Sequence, residues 1–344
     1  MSPETNLILF AIAAAALVLL LAPRFGLLQF VLGRKRDLER IRLEDALKYL
    51  SDREGRGATA GLSSLADSLR ITSGRAMTLV ERMQRAGLAE VVDGRIVLSS
   101  RGRSYALDII RAHRLWERYL ADETGVDPVR WHALAERREH VLTRRETDEL
   151  SRRLGNPRFD PHGDPIPTPD GEMPREPAVP LPQLQDGEMG RVVHVEDEPD
   201  TVFRQLVTLG VFPGMELRVV SRSAERIAFE SEGRRLDVSQ IAAGNVAVAR
   251  IGEDEERALE EARATLAELR SGEAAVVARI SPACRGLERR RLMDLGILPG
   301  TRVEHDRRGL TGGLTSYVVR GTRIALRDEQ ARMISIYEKQ KSAP

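Results

Sequence analysis

A chain of 344 residues is long enough for two or three domains. Its 53 lysines and arginines against 52 aspartates and glutamates leave it nearly neutral, so any nucleic-acid binding must rest on local patches and not on global charge. Aromatics at 4% argue against a stacking platform for single strands, and the lone Cys284 excludes an internal disulfide or a thiolate zinc cluster.

Residues 7–22, LILFAIAAAALVLLLA, carry no polar side chain, and FGLLQFVLG follows Pro23-Arg24 before the basic cluster Arg34, Lys35, Arg36. Alone the run is short of the roughly 20 residues a span requires, but residues 25–32 extend it if Arg24 snorkels. A cleaved signal peptide is the rival. Such a peptide opens on positive charge, whereas the first turn here offers only Glu4, and the basic flank follows the apolar run. The expectation is a single-pass anchor and basic flank over 1–36, with the soluble domains on the cytoplasmic side.

Residues 37–102 read as a winged helix. DLERIRLEDALKYLSD, starting at Asp37, has helical apolar spacing. GLSSLADSLRI and TSGRAMTLVERMQRAG add two helices, the last stopped at Gly87. LAEVVDGRIVLSS is a hairpin about Asp93-Gly94, a type I′ turn signal. The third helix would enter a major groove by its N-terminal end, offering Thr72, Ser73, Arg75 and Thr78. Arg82 or Arg85, and Arg95 on the wing, would meet phosphates. Winged helices also serve as protein-docking modules, so this pattern alone leaves DNA binding open.

Residues 103–154 hold the richest chemistry. The stretch 113–141 is HRLWERYLADETGVDPVRWHALAERREHV. His113 and Glu117 lie one turn apart on a helix. Beyond the break at Gly125 and Pro128, a second helix carries His132, Glu136, Glu139 and His140 within an arc of about 100° at helical periodicity. Paired, the two faces aim two imidazoles and a carboxylate one way, and two carboxylates and an imidazole another. Such nitrogen and oxygen donors suit Mn(II), Fe(II), Co(II), Ni(II) or Zn(II). The rival reading is a solvated face of i,i+4 ion pairs with His140 at a helix C-terminus.

Nine of the 17 prolines fall in 155–182, which marks a linker. Beyond it the chain repeats. RQLVTLGVFPG (204–214) returns as RRLMDLGILPG (290–300), each between a Gly-Glu turn with a strand and further alternating strands. This predicts two small barrels, 183–251 and 266–340. They are joined by an acidic helical connector, 252–265, read as a solvated spacer.

The H-x3-E pair, the H-x3-E-x2-E-H run and the HGDPIP turn, downstream of a winged-helix pattern, resemble the diphtheria-toxin-repressor and manganese-transport-regulator family of metal-dependent repressors over roughly residues 37–250. Both repeats resemble FeoA-like, SH3-type domains. The resemblance implies a multidomain α+β fold with a helical metal-binding and dimerisation domain. Its primary site would comprise Asp45, Glu136, Glu139 and His140, and its ancillary site His113, Glu117 and His132. Asp45 stands where the iron branch has methionine and the manganese branch aspartate; Glu136 stands where they have cysteine and glutamate. That oxygen-rich set leans to Mn(II) or Fe(II). Lys48 replaces a second helix-1 carboxylate of the manganese branch, which puts a binuclear site in doubt. The iron branch also borrows a glutamate and a glutamine from its C-terminal domain, and Glu196, Glu198 and Val202 do not supply both.

The resulting expectation is a non-enzymatic, homodimeric regulator of metal homeostasis, anchored in a bacterial inner membrane and reading a double-stranded operator. The alternative is a ferrous-iron transport accessory that docks its FeoA-like domains on a membrane transporter. An enzyme built on the His/Glu cluster would need convergent pocket residues, and the sequence names none.

Overall fold

The computed structural model describes Phe10 and residues 27–308, 313–337 and 340–341. The run at 7–22 lies, Phe10 apart, outside the described residues, and with it most of the expected anchor. No described helix is long and apolar enough to cross a membrane. The chain divides into two compact units, 1–111 and 112–344.

In the first unit, helix α1 (Leu27–Gly55) starts earlier than the expected Asp37, and α2 (Leu62–Ser68) and α3 (Ser73–Arg85) follow. Both α1 and α3 bury a stripe at helical spacing: Leu43, Ala46, Leu47 and Leu50 on α1, and Ala76, Leu79, Val80 and Met83 on α3. Thr72 caps α3, its hydroxyl accepting from the Arg75 backbone N–H at 3.4 Å. Strands β1 (Ala89–Val92) and β2 (Arg95–Leu98) pair in register about Asp93-Gly94, whose φ angles of 50° and 75° are those of the type I′ turn. Ile96 and Leu98 of this hairpin join the helical stripes in one core. Helix α4 (Ser100–Glu123) leads out of the unit.

The second unit takes up α4 and adds a 3-10 turn (Pro128–Arg130), α5 (Trp131–Glu139) and α6 (Arg144–Arg153). The proline-rich stretch then runs without helix or strand to β3 (Val179–Pro180). Here the domain starts earlier than the expected residue 183. Val179 and Pro180 pair with β8 (Val246–Arg250), and Leu181 is fully buried in the core of the first sheet.

That sheet has the order β3-β8-β4-β5-β6-β7, with β4 (Met189–Val195), β5 (Glu216–Arg222), β6 (Arg226–Ser231) and β7 (Arg234–Ser239). Helix α7 (Asp200–Leu209) lies between β4 and β5, and α8 (Gln240–Gly244) between β7 and β8. After α9 (Glu253–Glu261) the plan recurs as β9 (Ala264–Thr265), β10 (Glu273–Ile280), α10 (Gly286–Asp294), β11 (Arg302–Arg308), β12 (Leu314–Val319), β13 (Thr322–Arg327), α11 (Asp328–Arg332) and β14 (Ile334–Ile336). The second sheet is ordered β13-β12-β11-β10-β14-β9, and β15 (Gln340–Lys341) adds to β10. Each sheet folds round its own apolar core.

Helix α9 falls in the stretch expected as a solvated acidic spacer. It buries no residue, but Glu255 pairs with Arg191 at 2.5 Å, and Glu256 and Glu260 meet Arg218 at 2.7 and 3.4 Å, which lays the helix along the first sheet. Such exposed pairs set its position more than they add to stability.

Candidate metal centre

Three segments of the second unit converge on α4. The first is α5. Asp127 caps the 3-10 turn by accepting from the Val129 N–H at 3.0 Å, and the Trp131 indole donates to the Val126 carbonyl at 3.0 Å. Trp131 packs with Leu120 and Ala121 of α4, so the residue after it, His132, is delivered to the face bearing His113 and Glu117.

The second is the turn at 160–167. One carboxylate oxygen of buried Asp160 accepts from the backbone N–H groups of His162, Gly163 and Asp164 at 2.8, 2.9 and 2.9 Å. Arg114 of α4 donates to the Pro165 carbonyl at 2.5 Å and to Asp164 at 3.3 Å. Gly163 has φ +98°, and a Cβ there would stand 1.9 Å from the Val193 carbonyl oxygen, so strand β4 approaches the turn as closely as only glycine permits. The third segment is the end of β4. The Val195 N–H donates to the His162 carbonyl at 2.8 Å, and Asp197, just beyond, swings into the site.

His113 is buried between two carboxylates: its Nδ1 meets Glu139 and its Nε2 lies 3.1 Å from Glu117. His132 Nδ1 lies 3.5 Å from Glu117 and 3.1 Å from Asp197, while its Nε2 lies 3.5 Å from Glu136. His162 Nδ1 lies 3.9 Å from Glu117 and 3.8 Å from Asp197. His113, Glu117 and His132 can each bring a ligand atom within 4.8 Å of the others, and so can Glu117, His162 and Asp197. Glu117 belongs to both sets.

Glu139 is 4% exposed and lies 3.4 Å from His140, which caps α5. The two ligand sets expected to point apart are therefore linked, because His113 touches Glu139 as well as Glu117. Glu136 turns its half-exposed carboxylate to His132. Asp45 stands half-buried on α1 of the first unit.

The charges respond to this crowding. Burial pushes the Glu117 pKa up, but the facing imidazoles of His113, His132 and His162 outweigh it and hold the carboxyl well below its usual range. Asp197, Glu117 and Glu136 raise His132 to about 12. Asp197 is drawn down by His132 and His162 against the opposing effect of burial. Asp160 is pushed well up by burial and by Asp164 and Glu117.

Residues 99–168 match the family model of the iron-dependent repressor metal binding and dimerisation domain, and residues 179–250 and 264–338 each match the FeoA domain. The iron-dependent repressor IdeR of Mycobacterium leprae is 32% identical over 195 residues, covering 53% of this chain and 84% of its own. The chain belongs to the iron-dependent repressor family. The diphtheria toxin repressor of Corynebacterium diphtheriae is 30% identical over 208 residues, 56% of this chain and 89% of that one. A solved manganese-dependent transcriptional repressor in complex with manganese is 30% identical, with a TM-score of 0.54 over 60% of this chain and all of that one. Iron-dependent repressors are transcriptional repressors and not enzymes, and the family's site takes a divalent metal.

The residues here fit such an ion. Nδ1 of His132 and both ring nitrogens of His162 are buried without a hydrogen bond. His132 Nδ1 faces Asp197 and Glu117 without directed geometry to either. Ring nitrogens that lie 3–4 Å from carboxylates without bonding them, as Nδ1 of His132 and Nδ1 of His162 do, are aimed at a common point. With no thiolate among them the set is hard, as Mn(II) and Fe(II) prefer.

His162 and Asp197 are the residues that sequence reasoning missed. In the sequence, His162 reads as part of the HGDPIP turn, a backbone signal. Asp197 lies in the acidic run EDEPD, where neighbouring Glu196 and Glu198 are the more obvious carboxylates. The available signal is a histidine locked in a proline-rich turn, followed by a carboxylate directly after a strand.

On the first unit, Thr72, Ser73, Arg75 and Thr78 are all exposed at the start of α3, and Arg95 is exposed on the wing. Arg82 is held by Glu39 at 2.8 Å.

Proposed function

We propose that this chain is a metal-responsive, dimeric transcriptional regulator that reads a double-stranded operator and controls Mn(II) or Fe(II) homeostasis. The observation that carries the reading is the buried imidazole–carboxylate cluster, which draws α4, α5, the 160–167 turn and the end of β4 onto one centre. Glu139 and His140 would hold the primary ion, with Glu136 turning from His132 to reach it and Asp45 the contribution of α1. His113, Glu117 and His132 form the ancillary site, joined by His162 and Asp197.

A bound divalent cation supplies two positive charges that the surrounding carboxylates share. His113, touching Glu117 and Glu139 together, couples the two sites. Asp45 would join Glu139 and His140 in the liganded arrangement, so α1 and the DNA-reading helix are selected in the pose whose half-site spacing matches the operator. Ser73 and Arg75 then meet base edges, and Arg95 meets phosphate. The experiment is operator binding by the full chain with and without Mn(II). Glu139→Ala with His140→Ala abolishes the metal dependence; unchanged dependence refutes the switch.

The same reading places the protein at the inner membrane through residues 7–32, with the basic cluster at 34–36 on the cytoplasmic side. Alkaline carbonate extraction keeps the full chain in the membrane pellet and releases a chain lacking residues 1–36. A second reading, a ferrous-iron transport accessory docking on a membrane transporter, is favoured by the two FeoA matches. Recovery of a transporter without enriched DNA from solubilised membranes would support it over the regulator.

A further inference from the structure

The two FeoA-like domains carry the same groove, and among the described residues only that of the first is filled. In the first, the groove lies beside the Pro213-Gly214 turn and the Glu232-Gly233 hairpin. The end of β10 and the residues after it fill it. Arg279 pairs with Glu216, the Ser281 hydroxyl donates to Glu232 at 2.7 Å, and Arg285 donates to the Pro213 carbonyl at 3.1 Å. The Arg285 guanidinium sits 4.7 Å from the Phe212 ring centroid. Pro282 packs so close to Gly214 that a Cβ there would come within 3.0 Å of it.

The same strand end in the first domain is used in the same manner. There the end of β4 docks on the 160–167 turn through Val195 and sends Asp197 to His132. Each FeoA-like domain thus presses its first long strand onto the element before it, and the first offers its Pro-Gly groove to the second.

In the second domain that groove is open. Pro299-Gly300 and the Arg320-Gly321 hairpin line a cavity of about 550 Å³ with Arg302, Glu304 and Val318. The Pro-Gly repeat aligns Glu216 with Arg302 and Arg218 with Glu304, each 86 residues on. The hairpins align Glu232 with Arg320, two non-glycine residues at φ 47° and 48°, each followed by a glycine. The charges at these three positions are therefore inverted in the open groove, while Glu230 and Arg191 beside them give way to the neutral Val318 and Val276. Arg302 and Arg320 are exposed, and among the described residues neither forms an ion pair.

We propose that the open Pro-Gly groove of the second FeoA-like domain docks an acidic, extended segment of a partner protein, with carboxylates where β10 carries Arg279 and Ser281. Continuity with the filled groove gives the backbone path and the inverted charges give the sign. Like-charge contacts exclude the chain's own β10-type segment, so head-to-tail stacking of second domains into open fibres is blocked. The occupant also places a basic group near Glu304, as Arg218 of the first domain meets the acidic helix α9 in mirror-image charge. This assignment stands independently of the metal reading.

The test is a charge-swap cycle on the full chain, with two fluorescein-labelled peptides of residues 277–285 as probes. In both peptides Cys284 is replaced by Ser; in one Arg279, Ser281 and Arg285 are also replaced by Glu. The acidic peptide binds the natural chain about tenfold or more tightly than the basic one, and the preference weakens with salt. In Arg302→Glu with Arg320→Glu the preference reverses, and Arg302→Ala with Arg320→Ala abolishes it. Equal binding of the acidic peptide to all three chains, or binding to none, overturns the proposal. So does loss of random-sequence duplex DNA binding in the Glu variant with acidic-peptide binding intact, which would make the groove a phosphate contact.

Discussion

Asp197 places a carboxylate oxygen 3.1 Å from Nδ1 of His132. The two residues belong to different layers of the second unit, a strand end of the first FeoA-like domain and a helix of the metal-binding domain. Their meeting makes the small β-domain a contributor to the site and not a passenger beside it.

Asp197→Asn keeps the shape and removes the charge. Metal affinity at the ancillary site should fall by about 10- to 100-fold, the range seen when a partner of a metal-binding histidine is lost, while the primary site keeps its affinity. Titration with Mn(II) or Co(II), followed calorimetrically, separates the two classes of site. Unchanged affinity in both would mean that Asp197 serves only to hold His132.

Protons and metal compete here. His132, raised to about 12, keeps its proton in the metal-free protein at neutral pH. Its contribution to folding is complete below the unfolded histidine pKa of about 6.5 and is lost only as pH rises through the folded value. Glu117, held well below the usual carboxylate range, contributes above the unfolded glutamate pKa, and loses that contribution as pH falls through its folded value. The metal-free site is thus stable as an ion-paired network around neutrality, and a ligand imidazole must surrender its proton to the ion. Metal affinity should rise with pH between about 6 and 8, with protons released to buffer. Calorimetry in two buffers of different ionisation enthalpy counts them; a count of zero contradicts the competition.

Gly163→Ala tests the turn. Its φ of +98°, with the Val193 carbonyl oxygen only 1.9 Å from where the new methyl carbon would stand, leaves no room, so either the turn or β4 must move. We expect a loss of roughly 1–3 kcal/mol, the scale of a strained backbone position, read by thermal unfolding. Metal affinity should weaken with it, because His162 and Asp197 flank the contact.

Arg75→Ala should cost about 1–3 kcal/mol of operator affinity and relax base preference at one position. Arg95→Ala should weaken binding to all sequences alike and flatten the salt dependence. Arg82, already paired with Glu39, should give the smaller change of the two phosphate candidates. Fluorescence anisotropy against specific and scrambled duplexes at several salt concentrations distinguishes them.

Much was legible because it is local. Helical stripes on α1 and α3, the Asp93-Gly94 turn and the 86-residue repeat are all properties of neighbouring residues, set by periodicity and backbone sterics. His113 and Glu117 were readable for the same reason, since one helical turn fixes their separation. The position of His132 beside them needed only a short break between two helices.

What the sequence could not reveal is whatever depends on two distant segments meeting. Asp197 is one carboxylate in an acidic run, and nothing in its spacing says that Gly163 will admit β4 closely enough to aim it at His132. His162 reads as part of a turn until burial strips its nitrogens of water and leaves them facing Glu117. The inverted charges at Arg302, Glu304 and Arg320 lie in plain view along the chain. They acquire meaning only once β10 is seen filling the earlier copy of the same groove. Periodicity determines the elements, and long-range packing, by choosing which polar groups lose water together, decides the sites.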